Sequence, residues 1–143
     1  MNELRPGNFI FYDLMQAQIG ACGFEDIAMV LACPIVDIQR SRNELVLYGG
    51  AVHLSKEQLL HDEYGVIYGL MVQKNAGGWS HPIEGAYLRK ISQEHGMLKL
   101  PEALMDNYKI GDWVYLLPVH SCLCMDLHSS AYTLDGESLA IKS

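Results

Sequence analysis

His120 and Cys122 stand one residue apart in the stretch GDWVYLLPVHSCLCMDLH (residues 111–128), just after an apolar run that stops at Pro118. In an extended chain alternate side chains share a face, so positions two apart can bring an imidazole nitrogen and a sulfur onto one ion. That donor pair suits a borderline-soft divalent cation, zinc first. Two ligands do not complete a site. A structural zinc takes four protein ligands and a catalytic one usually three plus an open position, so the rest must come from elsewhere in the fold, a partner chain or a substrate. Cys124 shares the face of Cys122 if the strand continues, which makes it an alternative ligand, although a small buried hydrophobe is its commoner role. Asp126 is near enough in sequence to orient a metal-bound His120 from behind. The bland reading of the pair is a buried thiol and a hydrogen-bonded histidine at a strand end.

The elements that must position these residues are short. Asn8–Asp13 (NFIFYD) is aromatic and β-favouring and predicts a strand, preceded by a Pro6-Gly7 turn signal and followed by a helical turn over Leu14–Ile19 that Gly20 stops. Ile27–Ile38 is the longest apolar run, interrupted by Pro34, which predicts a bulge or an edge. Leu45–Tyr48 is the next strand. Ser55, with Gln58 three residues on, predicts a capped helical turn. Tyr64–Lys74 reads as one strand bent at Gly65 and Gly69, and 75–78 as a turn. Ala86–Ser92 and Met97–Leu100 alternate around Glu94-His95-Gly96, the pattern of a hairpin. A helical turn over Pro101–Met105, the strand Trp113–Leu117, and a last hairpin from Tyr132–Leu134 to Leu139–Lys142 complete the chain. Eight or so short strands with little helical periodicity predict an all-β domain with few short helices, a barrel or a sandwich.

Composition narrows the partners. The 143 residues are the size of one domain, residues 1–143, with no internal repeat. A net charge of -7 and ten scattered Lys and Arg argue against nucleic acid and against anionic membrane surfaces. No apolar run is long enough to cross a bilayer, and Met1–Gly7 has no basic region leading into an apolar one, so the expected compartment is the cytoplasm. Four cysteines in a chain of this length read as free thiols, not a disulfide scaffold.

Three stretches in order, ELRPGNFIFYD (3–13), SQEHGMLKLPE (92–102) and GDWVYLLPVHSC (111–122), resemble the C-terminal part of the D-threonine aldolase and D-serine dehydratase family, metal-activated relatives of alanine racemase that use pyridoxal phosphate. The resemblance covers essentially the whole chain and implies a β-domain like the alanine racemase C-terminal domain. It implies a divalent metal, zinc or possibly manganese, on His120 and Cys122. It places His95 in the family's EHG turn, with the solvated Glu94 beside it, and Tyr12 and Asp13 where the β-domain meets a TIM barrel. His95 and Tyr12 are thereby the weaker catalytic candidates. The family's cofactor lysine lies in the barrel, N-terminal to this region, so pyridoxal phosphate is expected only in the complete enzyme. Lys56, near His53 in GGAVHLSK, is the lysine with a suggestive setting, yet nothing in the sequence desolvates it.

The resemblance therefore implies the metal-binding β-domain of a pyridoxal-phosphate-dependent D-amino-acid lyase or racemase-like enzyme acting on a D-hydroxyamino acid. It implies a domain without its barrel and inactive alone. The alternative is a stand-alone metal-binding or interaction β-domain that dimerises or docks on a separate barrel chain through an apolar surface around Phe9, Phe11 and Tyr12. A third possibility is a purely structural domain. His53 and His128 are lone histidines with no partner visible in the sequence.

Overall fold

The computed structural model describes Glu3 and residues 7–141; the Pro6 half of the turn signal at 6–7 and Lys142 of the last hairpin lie outside the described residues. In chain order the elements are α1 (Leu14–Gln18), β1 (Leu31–Gln39), β2 (Glu44–Tyr48), α2 (Ala51–Leu54), β3 (Leu59–His61), β4 (Gly65–Ile67), β5 (Gly69–Val72), β6 (Lys74–Asn75), β7 (Gly78–Trp79), β8 (Tyr87–Ile91), β9 (His95–Lys99), β10 (Trp113–Pro118), α3 (Ser121–Asp126), β11 (Ser130–Tyr132) and β12 (Ser138–Ala140). Strands β1, β10, β5, β8, β9 and β2 close, in that order, into an antiparallel barrel, so the expected all-β barrel is what forms. Three two-stranded ribbons, β3–β4, β6–β7 and β11–β12, hang from it.

The alternation of side chains builds two cores on the two faces of the barrel wall. In the register of β10 against β5, Leu116 faces Met71 and both belong to the interior cluster with Cys33, Ile35, Leu45, Leu47, Leu88, Leu98 and Val114. One residue on, Leu117 faces Leu70, and both join the outer cluster with Leu14, Ile27, Ile67, Val72 and Val119. All four residues of β5 are buried because this strand is covered on both sides. Each such side chain contributes roughly 1.5–3 kcal/mol on burial. The outer cluster fixes the site: Leu14, 1% exposed, plugs α1 into it, and the Met15 amide donates to the Val119 carbonyl at 3.3 Å just past the end of β10.

Local structure departs from expectation in several places. The aromatic stretch Asn8–Asp13 is a turn, not a strand: the Tyr12 amide donates to the Asn8 carbonyl at 3.0 Å and Tyr12 sits at φ +51°. The helical turn expected onward from Ser55 does not form; the helix lies before Ser55 instead. Gly50 is the N-cap of α2 and Ser55, at φ +74°, is its C-cap. The expected long strand over Tyr64–Lys74 is divided into β4, β5 and β6, since the outer ribbon and the barrel wall need different directions. His95 opens β9 opposite Tyr48 and is not a turn residue. Pro34 does come with the expected bulge, a register shift between Ile35 and Asp37 against β2.

Candidate functional site

The chain leaves the barrel at Pro118, passes through Val119 and turns at His120 into α3, so the segment after the strand is helical where sequence spacing suggested continued extension. His120 is the N-cap, with extended backbone at φ -132° and ψ 109°, and Cys122 falls in the first turn. The two residues therefore sit at a helix start, not on one face of a strand. The register of α3 sorts the cysteines: Ser121 and Cys124 are buried, while Cys122 is exposed. Cys124 is not the alternative ligand it could have been in a strand. Its thiol donates to the His53 carbonyl at 3.2 Å within the barrel cluster, and burial pushes it up to about 12.

The second wall of the site is the turn before α1. Asp13 caps α1 by accepting the Gln16 amide at 3.0 Å on Oδ1, and its side chain is fully buried. Its Oδ2 accepts the Ser121 amide at 2.9 Å and the Asn8 side-chain amide, and lies 3.4 Å from His120 Nδ1. Asn8 completes the bracket, for its Oδ1 accepts both the Ser121 hydroxyl and, at 3.4 Å, the Cys122 thiol. Nδ1 of His120 is itself buried and has no hydrogen bond that meets ordinary geometry. The rest of the ring reaches the surface, the side chain being 29% exposed. The arrangement holds an imidazole and an accessible thiol over one small patch, with a carboxylate behind the imidazole.

Asn8, Asp13 and Ser121 were not foreseen as members of this group. The signal for Asp13 was present as D-x-x-Q over residues 13–16, a helix-capping pattern next to a helix start. Asp126, the carboxylate expected to stand behind His120, is the last residue of α3, and Asp13 occupies the place beside Nδ1. Tyr12 is half-buried and packs against the outer cluster. His95 is exposed and belongs to a different group: Tyr48 lies between it and His53, with ring centroids 6.0 and 4.7 Å away, and His128 stands 6.4 Å from His53. His53 and His128 thus have partners that sequence did not reveal. The His53 Nδ1 accepts the Gly50 amide at 3.2 Å, and burial first, then His128, lowers its pKa. Glu94 is exposed, as expected.

As a metal site the group is incomplete. Among the described residues no three His, Cys, Asp or Glu side chains come together as a group that could hold a metal ion, so His120 and Cys122 would be two donors at most. The donor chemistry, an imidazole and an exposed thiol, fits zinc. No helix among the described residues is long and apolar enough to cross a membrane.

Residues 28–134 match the family model described as "Putative serine dehydratase domain". D-serine dehydratase of Dictyostelium discoideum is 27% identical over 156 residues, covering 100% of this chain and 36% of that protein. The crystal structure of an alanine racemase-like protein from Idiomarina loihiensis superposes with a TM-score of 0.75 at 26% identity over 90% of this chain and 34% of its own. D-threo-3-hydroxyaspartate dehydratase, known from Delftia sp. HT23, superposes with a TM-score of 0.76 in a His-to-Ala variant, at 22% identity over 94% of this chain and 36% of its own. A Cys-to-Ala variant of the same enzyme, altered two positions further along, was crystallised in its metal-free form. The chain spans about a third of the length of these relatives.

Proposed function

The chain belongs to the serine dehydratase domain family, and from that premise we propose that it is the metal-holding β-domain of an enzyme that removes water from a D-hydroxyamino acid of the D-serine or D-threo-3-hydroxyaspartate class. The observation that supports this is the placement of His120 and Cys122 at the start of α3, the thiol on half-buried Asn8 and the imidazole beside buried Asp13. The His and Cys altered in the relative are likewise two positions apart, and the Cys variant is the metal-free form.

His120 would bind a divalent cation through Nε2, because Nδ1 faces Asp13, and Cys122 would bind as thiolate after giving up the proton it now shares with Asn8 Oδ1. A cation held by these two side chains would supply Lewis acidity toward a substrate β-hydroxyl. The chain's own part is to hold two donors rigidly on one side and leave the opposite side open to substrate oxygens. Pyridoxal phosphate does not fit the described residues. Lys56, Lys74, Lys90 and Lys109 are exposed and Lys99 is half-buried with its ammonium on the Arg42 carbonyl, so none sits in the desolvated pocket that a Schiff base needs. In this reading the cofactor, its lysine and the carbonyl chemistry belong to a barrel portion beyond this chain, and the isolated chain is inactive.

The test is metal content. Purified protein dialysed against zinc should retain about one ion per chain, and His120→Ala and Cys122→Ala should each lose it while keeping the fold by circular dichroism. Equal zinc in wild type and both variants sinks the proposal.

A second reading is a docking domain for a separate barrel chain or for a second copy. It is favoured by the exposure of Phe9 at 55% and Ile10 at 66% beside the site. Concentration-independent monomers in sedimentation would count against the self-association form of it.

A further inference from the structure

Asp13 has a place in the site that its role as a helix cap does not explain. A cap needs one carboxylate oxygen, and Oδ1 serves Gln16. The other oxygen is turned away from α1 into the gap between the two proposed ligands, where it holds the amide of Ser121, the residue that separates them. It also lies 3.4 Å from the buried His120 Nδ1, a polar atom without a hydrogen bond that meets ordinary geometry. A carboxylate only accepts, so a neutral ring facing it carries its proton on Nδ1 and its lone pair on Nε2. Asn8 keeps this orientation from drifting. Its amide donates to Asp13 Oδ2 while its carbonyl takes the Ser121 hydroxyl and the Cys122 thiol, so one side chain spans the carboxylate and the sulfur. Fully buried and held by three donors, Asp13 has no freedom to swing away.

We infer that Asp13 is a positioning residue for the metal pair, fixing the His120 tautomer that presents Nε2, with Asn8 tying that carboxylate to Cys122. The inference rests on the reading of His120 and Cys122 as ligands, and it extends that reading to how the ligands are set before any ion arrives. Carboxylates behind ligating histidines raise metal affinity by about 10–100-fold in other proteins.

Two measurements on the 143-residue chain decide it. Long-range proton–nitrogen correlation at pH 8 on metal-free protein, with His120 assigned by comparison with His120→Ala, should show the Nδ1–H tautomer. The Nε2–H tautomer overturns the inference without any metal being present. Zinc competition against a chromophoric chelator should then give Asp13→Asn an affinity about 10–100-fold below wild type. Asparagine caps a helix as well as aspartate does, so α1 should be retained, while the amide nitrogen that replaces one oxygen meets the Ser121 and Asn8 donors and should lower the thermal midpoint. Unchanged zinc affinity in folded Asp13→Asn overturns the inference while leaving the metal reading intact. If Asp13→Asn does not fold, Asn8→Ala serves in its place, with weakened zinc binding expected and unchanged binding decisive against. A wild-type chain that takes up no zinc sinks the metal reading, and the tautomer alone then decides the role of Asp13.

Discussion

His53 shows how much a single side chain depends on neighbours far away in sequence. Its Nδ1 accepts the Gly50 amide at the start of α2, which only a ring unprotonated at that atom can do. Burial disfavours the charged ring most, His128 adds to this and His95 slightly more, while Glu94 pulls the other way; the net direction is a lowered pKa. The unfolded chain therefore takes up a proton at higher pH than the native one. The corresponding stability is complete above the ordinary value of 6.5 and is lost as pH falls through the lower native value. Urea unfolding between pH 7 and 5 should show this decline, and His53→Asn, which can still accept the Gly50 amide without titrating, should show less of it. An equal decline in both proteins would assign the effect to other groups. The same residue-scale logic separates Cys122, legible in the sequence as a metal-competent thiol, from Cys124, whose role was settled by the register of α3.

Among the elements, the join between β2, α2 and β9 is the tightest. A Cβ on Gly96 would lie 2.6 Å from the Gly49 carbonyl oxygen and 2.7 Å from a Leu88 methyl. The first of these is backbone in the link between β2 and α2 and cannot turn aside. Gly96→Ala should destabilise the chain by about 1–3 kcal/mol, read by thermal or urea unfolding. Gly77→Ala, where nothing lies within 4 Å, should change stability by no more than about 0.5 kcal/mol. Element type was readable where one pattern dominated, as in β10 with its alternating Val114 and Leu116, or in the hairpin formed by β8 and β9. It was misread at Asn8–Asp13, where three aromatic residues favour a strand by propensity. There the chain folds back through a left-handed Tyr12 to place Asn8 and Asp13 on α3, a contact across more than a hundred residues that no local pattern encodes.

At the scale of the whole molecule, the closed barrel seals Cys33 and Cys124 in one interior, and burial raises both thiols to about 12 from 9.0. The unfolded chain releases these protons from about pH 9 while the native chain retains them, so stability is full below that pH and is lost as pH rises toward 12. The loss should reach about 1.4 kcal/mol per pH unit for each thiol. Urea unfolding between pH 8 and 10.5 should therefore give a flatter profile for Cys33→Ala with Cys124→Ala than for wild type, and parallel profiles would refute the assignment. Composition and strand periodicity by themselves determined that this chain is an all-β domain with free thiols and few helices, because burial of alternate side chains is a local property of each strand. The sequence also singled out His120 and Cys122 as candidate donors, through their types, their spacing and the family resemblance of the stretch that carries them. Only the tertiary structure decided that they sit at a helix start, that Cys124 turns inward, and that Asn8 contacts the Cys122 thiol while Asp13 lies beside the His120 ring. Those outcomes depend on barrel closure and on α1 docking in the outer core, and contacts between distant segments leave no mark on the local pattern of either one.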